Sequence, residues 1–431
     1  MLQFKFTLCS VFFFLSAFAM AQPGWTWEVL PDMPEAVSNN AVVEAISNDT
    51  LCVYSFCGID STLTPQGIHL KTFKYNTQSQ IWAELEGAPD LQGKIAAGAS
   101  YINGLIYLVG GYYVESDFSE ESSNHIHCFD PNTDSWMPDA APIPLPIDDH
   151  VQATYTDSLI YVVTGWSNSG NVADVQIFNT NSNSWFIGSP TPNNSLYKAF
   201  GPSGVIIGNE IYYHGGVSGG FSFNANSRLR KGTIDPTDPY SIEWETLEDS
   251  PGADGYRSAA TSYNDRLFWI GGAGTAYNFD ALAYSNNNVV EPEARILTYY
   301  SGTSIWEDNY GSPYPVMDMR GIAKVSDNEW IICGGIGVNQ ESLKSTYKLT
   351  YDESVSVEEK INEFNWELTN RNLIFNQSLT GEIRVYSSLG QLLTKSELNV
   401  DRFDLSSYTG HLLISVQEKT GENHFFQVLL H

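Results

Sequence analysis

Short apolar runs that end in glycine recur between residues 51 and 335. They are rich in Val, Ile, Leu, Tyr and Trp, and a polar turn such as Asn103-Gly104 precedes most of them. Runs of this kind between tight turns predict β-strands. Four of them close on a glycine pair, at residues 105–111, 211–216, 267–272 and 330–335, and variants with one final glycine lie at residues 51–58 and 159–165.

A second landmark, a strand containing tryptophan that follows a polar turn, alternates with these runs. The turns contain Asn, Asp, Gly and Pro, which reverse the chain readily. The tryptophans are Trp27, Trp82, Trp136, Trp185, Trp244 and Trp306. Six copies of each landmark predict six four-stranded units. Because such units cannot bury both faces alone, we expect them to stack radially.

The last unit lacks its tryptophan strand. Residues 345–350 provide one more strand after the final glycine pair, but no tryptophan follows. Residues 25–30, in contrast, form a tryptophan strand that no partner strand precedes. We therefore predict that this N-terminal strand completes the last sheet as its outer strand, which would leave the ring without open edges.

This order of strands, glycine pair, variable loop and tryptophan strand resembles the kelch repeat over about residues 25–350. The resemblance implies an all-β chain with a six-bladed kelch β-propeller over residues 22–351.

The N-terminus has the pattern of a secretory signal peptide. Lys5 precedes a short apolar segment, and Ala19 and Ala21 provide small residues before a cleavage point at Gln22. This arrangement predicts a signal peptide over residues 1–21 and a secreted or cell-surface protein. No later stretch is apolar enough to span a membrane once the signal is removed.

Beyond the repeats, a charged segment at residues 352–361 predicts a linker, and short strands with glycine turns predict a small β-sandwich over residues 362–431. The sandwich resembles the type A sorting domain of the type IX secretion system of Bacteroidota, at residues 385–391 and at Asp404-Leu405-Ser406 followed by Gly410. The usual Asn-Pro opening is absent, and the chain ends in Leu430-His431. The resemblance implies export through that machinery to the outer membrane surface.

Charge excludes one class of partner. The chain has 21 Lys and Arg against 50 Asp and Glu, a net charge of -29. So acidic a chain is not expected to bind nucleic acid, which needs clustered cations. The four cysteines outside the signal peptide, Cys52, Cys57, Cys128 and Cys333, are too scattered for a disulfide framework and are expected to be buried.

Basic residues recur just ahead of the strands expected to surround the channel. They are Lys94, His150, Lys198, Arg257 and Arg320, with Asn40 in the first unit. Equivalent positions in a ring converge, so these side chains are predicted to meet at the channel mouth. One interpretation is a site for an anion such as a carboxylated sugar. The other is structural pairing with the loop carboxylates Asp148, Asp149, Asp254 or Asp318.

The loops after the glycine pairs are rich in aromatic, hydroxyl and amide side chains, with Trp166 the clearest candidate. Such loops suit sugars or protein partners. The main hypothesis is therefore a non-catalytic binding module for a glycan or a protein at the channel mouth.

Two enzyme hypotheses stay open beside it. Six-bladed kelch propellers include N-acetylneuraminate mutarotases, and that resemblance implies a sugar epimerase acting on an anionic sugar such as sialic acid. No catalytic carboxylate can be assigned. Kelch oxidases of the copper-radical type need two His and two Tyr at one metal. His125 and His127 share a strand face, but we expect that strand to be the third of its sheet, away from the mouth. No metal or other cofactor is predicted.

Overall fold

A computed structural model describes residues 24–219, 223–353, 366–369, 371–387, 391–418 and 423–430. The chain divides into two compact units, residues 1–356 and 357–431. Two short 3-10 helices, Pro65–Gly67 and Val338–Gln340, are the helical segments among the described residues. No helix in this part of the chain has the length and apolar character to cross a membrane. The predicted signal peptide and all but the first two residues of the predicted linker lie outside the described residues.

Six sheets of four or five strands account for most of the described strands of the first unit. Sheet 1 contains β2 (Ala41–Ser47), β3 (Thr50–Ile59), β4 (Ile68–Asn76) and β5 (Ile81–Leu85). Sheet 2 contains β6 (Gly98–Ile102), β7 (Leu105–Val109), β10 (Ile126–Asp130) and β11 (Ser135–Trp136). Sheet 3 contains β12 (Val151–Tyr155), β13 (Leu159–Val163), β16 (Val175–Asn179) and β17 (Ser184–Ile187).

The other three sheets repeat this order. Sheet 4 contains β18 (Ser203–Ile207), β19 (Glu210–His214), β20 (Leu229–Asp235) and β21 (Asp238–Thr246). Sheet 5 contains β22 (Ala259–Tyr263), β23 (Arg266–Ile270), β24 (Arg295–Tyr300) and β25 (Ile305–Tyr310). Sheet 6 contains β27 (Ala323–Ser326), β28 (Glu329–Cys333), β29 (Thr346–Tyr351) and β1 (Trp25–Leu30).

Smaller strands lie in the loops. The hairpin of β8 (Tyr112–Val114) and β9 (Glu120–Ser122) follows β7, and that of β14 (Trp166–Ser167) and β15 (Gly170–Asn171) follows β13. The two-residue strand β26 (Arg320–Gly321) runs parallel to the start of β2. The first strands of the six sheets surround a central channel of about 240 Å³, and residues from β2, β6, β12, β18, β22 and β26 line it.

The predicted closure of the ring is confirmed. Strand β1 pairs with β29 along its whole length and is the outermost strand of sheet 6. Trp25 is buried against Phe268, Trp330 and Tyr351, with ring centroids 4.8–5.6 Å apart. The first strand of the chain therefore belongs to the same sheet as the last strand of this unit.

Five of the six recurring tryptophans join their sheet to the one before it. The Trp136 indole N–H of sheet 2 donates to the carbonyl of Glu86, which lies where the chain leaves sheet 1, at 3.0 Å. Four others donate in the same way: Trp82 to Pro31, Trp185 to Ala141, Trp244 to Ser189 and Trp306 to Glu248. The landmark recurs because its N–H satisfies a loop carbonyl in these five sheets, whereas no such bond to a described residue forms from Trp27 in sheet 6.

The glycine pair recurs because the backbone leaves the second strand with positive φ beside the next sheet. Gly110 and Gly111 have φ of 63° and 91°. A Cβ at Gly110 would lie 2.3 Å from the carbonyl oxygen of Ile147. The four described cysteines are buried and unpaired, as expected.

The second unit is also all-β. Its strands are β30 (Trp366–Thr369), β31 (Asn372–Ser387), β32 (Leu392–Asp404), β33 (Gly410–Glu418) and β34 (Asn423–Leu430). All are antiparallel neighbours, and the pairing of β31 with β32 breaks between Ile374 and Leu379. Side chains from both sides of this break share one apolar cluster that includes Leu373, Phe375, Ile383 and Val385.

Candidate functional site

Six equivalent residues with positive φ precede the inner strands and form what we call the axial ring: Asn39, Ala96, Asp149, Gly201, Arg257 and Asp318. Hydrogen bonds link them around the axis, since the backbone N–H of Gly201 donates to the Asp149 carbonyl and that of Arg257 to the Gly201 carbonyl. The backbone N–H of Asp149 donates to the Ala96 carbonyl, and that of Asn39 donates to the Asp318 carbonyl. The backbone N–H of Ala96 donates to the side-chain oxygen of Asn39. The ring therefore positions its side chains at one end of the channel.

Arg257 crosses the centre of the axial ring and is 1% exposed. Its Nε and Nη2 donate to the two oxygens of Asp149 at 3.1 and 2.5 Å, and its Nη1 donates to Asp318 Oδ1 at 3.0 Å. Burial alone would raise the pKa of Asp149, but Arg257 and Arg320 hold it below its usual value. One guanidinium is thus shared by two buried carboxylates. These contacts favour the structural interpretation of Arg257.

His150 and Arg320 lie beside this cluster and line the channel. Arg320 Nη2 donates to the His150 carbonyl at 2.8 Å, and its Nη1 lies 3.4 Å from Asp149 Oδ1. His150 Nε2 lies 2.9 Å from the side-chain oxygen of Gln152. Burial, and then the charge of Arg320, lower the pKa of His150 to about 4. His150 is therefore neutral at pH 7.

Lys94 has a different partner. Its Nζ lies 3.1 Å from Asp90 Oδ2, and both side chains are buried. Tyr113 donates to the same oxygen at 2.8 Å, and His127 Nε2 lies 3.0 Å from it. Asp90, His125 and His127 place their ligand atoms within 4.8 Å of one another, as a metal site would require. The Lys94 ammonium already neutralises the carboxylate in this cluster.

Lys198 lies in a separate surface depression, whose lining also includes Asn171, Asn194 and Ser195. The structure thus brings together Arg257, Arg320 and His150, and it separates Lys94 and Lys198 from them. They are separated because they do not occupy equivalent positions in the repeat. Relative to the axial ring, Lys94 stands two residues before Ala96 and Lys198 three before Gly201. His150 stands one residue after Asp149, and Arg320 two after Asp318.

Trp166 lines a cleft of about 70 Å³ over the axial ring. We call it the aromatic cleft, and its lining residues are Tyr112, Glu120, Asp148, Asp149, Trp166, Phe200, Phe223 and Tyr284. The rings touch one another, with centroids 5.4 Å apart for Trp166 and Phe200 and 5.2 Å apart for Phe223 and Tyr284. These residues lie in the loops that follow the second strands of sheets 2, 3, 4 and 5 and in the segments that connect sheet 2 to sheet 3 and sheet 3 to sheet 4.

Asp148 is unusual among the residues that occupy its position. The six residues directly before the axial ring are Ser38, Ile95, Asp148, Phe200, Tyr256 and Met317, and each forms a backbone bridge to the residue after a glycine landmark. Asp148 is the charged member of this set. Its carboxylate accepts from the Ser122 hydroxyl at 2.6 Å. Burial, and then the neighbouring Asp149, raise the pKa of Asp148 well above its usual value.

Glu120, on β9, stands at the exposed rim of the same cleft. Partial burial of its carboxyl raises its pKa, and repulsion from Asp149 adds to the rise. Among the described residues, the ion pairs at this end of the channel go to Asp149 and Asp318, and none goes to Glu120 or Asp148. The cleft therefore combines aromatic rings with two carboxyl groups that have no ion-pair partner.

Sequence reasoning identified Trp166 but missed Glu120, Phe200 and Tyr284. Glu120 and Tyr284 come from loops of different length in each sheet, so no repeat position marks them. Asp148 was considered only as an ion-pair partner. Its place directly before the axial ring could have marked it, because Ile95 and Phe200 hold the same place in neighbouring sheets.

A family model now decides what this ring of sheets is. The KLHDC2/KLHL20/DRC7 Kelch-repeats domain matches residues 41–272, more than half of the chain. The chain belongs to the kelch-repeat family. Its all-β kelch propeller fold and the resemblance to kelch repeats are thereby confirmed.

Relatives of this kelch chain are distant. Human Kelch-like protein 15 is 20% identical over 293 residues, which span 64% of this chain and 44% of that protein. Kelch repeat and BTB domain-containing protein 4 of Macaca fascicularis is 30% identical over 139 residues, 32% of this chain and 24% of that protein. The chain thus spans less than half the length of these curated relatives.

Among solved structures, the kelch chain is similar to YjhT. The TM-score is 0.58 at 17% identity, and the match covers 74% of this chain and 95% of YjhT. At this identity the similarity concerns the fold.

Proposed function

We propose that this kelch propeller is a glycan-binding module whose ligand docks in the aromatic cleft. The observation that supports the proposal is the pairing of aromatic rings with the carboxyl groups of Glu120 and Asp148 in one opening. Sugar rings present apolar C–H faces and hydroxyl groups, so aromatic faces and hydrogen-bonding carboxyls suit them together. Kelch domains mediate protein interactions, and a protein ligand at the same cleft is the competing outcome.

Replacing Trp166 with alanine is expected to weaken glycan binding at least tenfold, because the ligand loses the ring that walls the cleft. Ligands would first be found on a glycan array, and their affinities would then be measured by calorimetry. Phe186→Ala is the control, since this ring lies partly exposed on the outer strand β17 and should leave binding unchanged. Equal affinities of the parent and Trp166→Ala proteins for every bound glycan would place the ligand elsewhere.

A second candidate, the mutarotase-like epimerase, is supported by the raised pKa values of Glu120 and Asp148. A carboxyl with a raised pKa can hold a proton near neutral pH and act as a general acid. An anionic substrate, however, would find no unpaired guanidinium among Arg257 and Arg320, since both contact Asp149. Following the anomers of sialic acid by NMR with and without the protein tests this candidate.

We also propose that the chain is exported, with a signal peptide at residues 1–21 and a sorting domain at the C-terminus. Support comes from the N-terminal pattern and from the division of the chain at residue 356. A protein ending at residue 356 is expected to keep the cooperative melting of the propeller, because each unit has its own apolar clusters. In its native host, this truncated protein should accumulate in the periplasm. Unchanged delivery to the surface, detected by protease accessibility of whole cells, would contradict the sorting role.

A further inference from the structure

The charges around the aromatic cleft are unbalanced. Four carboxyl groups lie in or beneath it, those of Glu120, Asp148, Asp149 and Asp318. The cations in contact with them are Arg257 and Arg320, and all three of their ion pairs fall on the two carboxylates of the floor, Asp149 and Asp318. Neutral His150 adds no positive charge. Among the described residues, Glu120 and Asp148 therefore face the opening without a counter-ion in contact. A cation placed between them would lower the pKa values that burial has raised and so stabilise both carboxyls in their ionised form.

The walls of the cleft also suit a cation. Trp166, Phe200, Phe223 and Tyr284 are in mutual contact, with centroid separations of 5.2–6.2 Å. The negative faces of aromatic rings attract cations, most strongly where water is excluded. A carboxylate in the same place would be repelled by Glu120 and by the faces of the rings. The cleft thus disfavours the anionic sugar that the basic positions had suggested.

We propose that the aromatic cleft binds a protonated primary amine, carried by an amino sugar of the glucosamine type. This inference rests on the proposed glycan-binding function and narrows its ligand class. The cleft, at about 70 Å³, admits the amine-bearing edge of one sugar ring rather than a whole oligosaccharide.

An amino sugar fits better than a lysine side chain. Glu120 and Asp148 offer more hydrogen-bond acceptor sites than the three N–H groups of one ammonium can use, even though the Ser122 hydroxyl already donates to one oxygen of Asp148. The hydroxyls next to the amine of a sugar ring would donate hydrogen bonds to the remaining acceptor sites. A lysine side chain would bring only methylene groups to those acceptors.

The test compares two oligosaccharides that differ only in the amine. Binding of a β-1,4-linked glucosamine tetramer and of its fully N-acetylated counterpart would be measured by calorimetry at pH 6. The free amine should bind at least tenfold more tightly, because acetylation removes its charge. A Gly-Lys-Gly peptide, tested in the same way, reports whether an ammonium on a peptide binds instead.

A matched pair of variants assigns the effect to the cleft. Glu120→Gln removes one charge at nearly constant volume and should weaken binding of the glucosamine tetramer at least tenfold. Glu121→Gln makes the same change at the adjacent exposed residue, which does not line the cleft, and should leave binding unchanged. Thermal melting of both variants checks that each is folded, and Asp148→Asn provides an independent second change in the cleft.

The outcomes are distinguishable. If the acetylated tetramer binds with equal affinity and Trp166→Ala still weakens that binding, the proposed recognition of the amine is wrong. The glycan-binding function is then unaffected. Tight binding of the lysine peptide without binding of either tetramer overturns the amino sugar in favour of a peptide ligand. If no glycan binds at all, both the proposed function and this inference fail.

Discussion

Replacing Arg257 with methionine is expected to lower the free energy of unfolding by about 3–5 kcal/mol, the usual cost of removing one partner from a buried ion pair. The guanidinium is fully buried and hydrogen-bonded to Asp149 and Asp318. Without it, two carboxylates would stand in the axial ring with no cation in direct contact except Arg320, which lies 3.4 Å from Asp149. Denaturant unfolding of the parent and the variant measures the loss.

The loss should depend on pH in a defined direction. In the parent, the lowered pKa of Asp149 gives a stabilisation that is present above its unfolded pKa of about 3.9 and is lost as the pH falls through the folded value. In the variant, burial would dominate and raise the pKa of this carboxyl. The variant is therefore penalised most at pH 7, and the difference between the proteins should shrink as the pH falls towards 4, because the buried carboxyls of the folded variant then take up protons that the unfolded chain does not.

Arg228→Met is the matched control, since Arg228 donates to the carbonyl of Ser195 and the hydroxyl of Ser218 and has no carboxylate partner in these contacts. It should cost less than about 1.5 kcal/mol, because Arg228 is partly exposed and water can replace its hydrogen bonds to neutral acceptors. If Arg257→Met kept full stability but abolished binding of carboxylated sugars, Arg257 would be a ligand-binding residue and the structural interpretation would be wrong.

Loss of Trp25 is expected to cost a similar amount, about 3–5 kcal/mol, because Trp25→Ala would leave a cavity between sheets 5 and 6. Val29→Ala in the same strand is the control. Val29 is 56% exposed, so its truncation should change the stability by less than about 0.5 kcal/mol. Both values come from the midpoint and slope of denaturant unfolding.

Deleting residues 24–30 extends this test to the whole strand. Sheet 6 would lose β1 and expose the backbone edge of β29. The protein should then lose its single cooperative melting transition and aggregate on heating. A truncated protein that melts like its parent would mean that β1 contributes little to ring closure.

The fold could be predicted because each sheet repeats two residues for a physical reason. The indole N–H of Trp136 satisfies a loop carbonyl, and Gly110 occupies a place where a Cβ would meet a carbonyl oxygen. Counting these landmarks also predicted that β1 joins the last sheet. Such requirements are local in the sequence and recur in most of the sheets, so a single chain is enough to reveal them.

The site could be predicted only in part, because it departs from the repeat. Lys94 and Lys198 precede inner strands, but they stand two and three residues ahead of the axial ring, so radial symmetry does not carry them to the place of Arg257. Glu120 and Tyr284 lie in loops whose length and sequence differ from sheet to sheet. The sequence could not show whether Arg257 is available to a ligand. That depends on the positions of Asp149 and Asp318, which only the three-dimensional structure shows.

The pairing of β1 with β29 also sets the order of events during synthesis. Strand β1 leaves the ribosome before the other strands of the propeller, yet its partner ends at Tyr351 and is made more than 300 residues later. Translation therefore runs almost through the whole propeller before the ring can close, and contacts so distant in sequence form slowly. Until then Trp25 lacks its partner Tyr351, and the propeller stays incompletely folded during almost all of its synthesis.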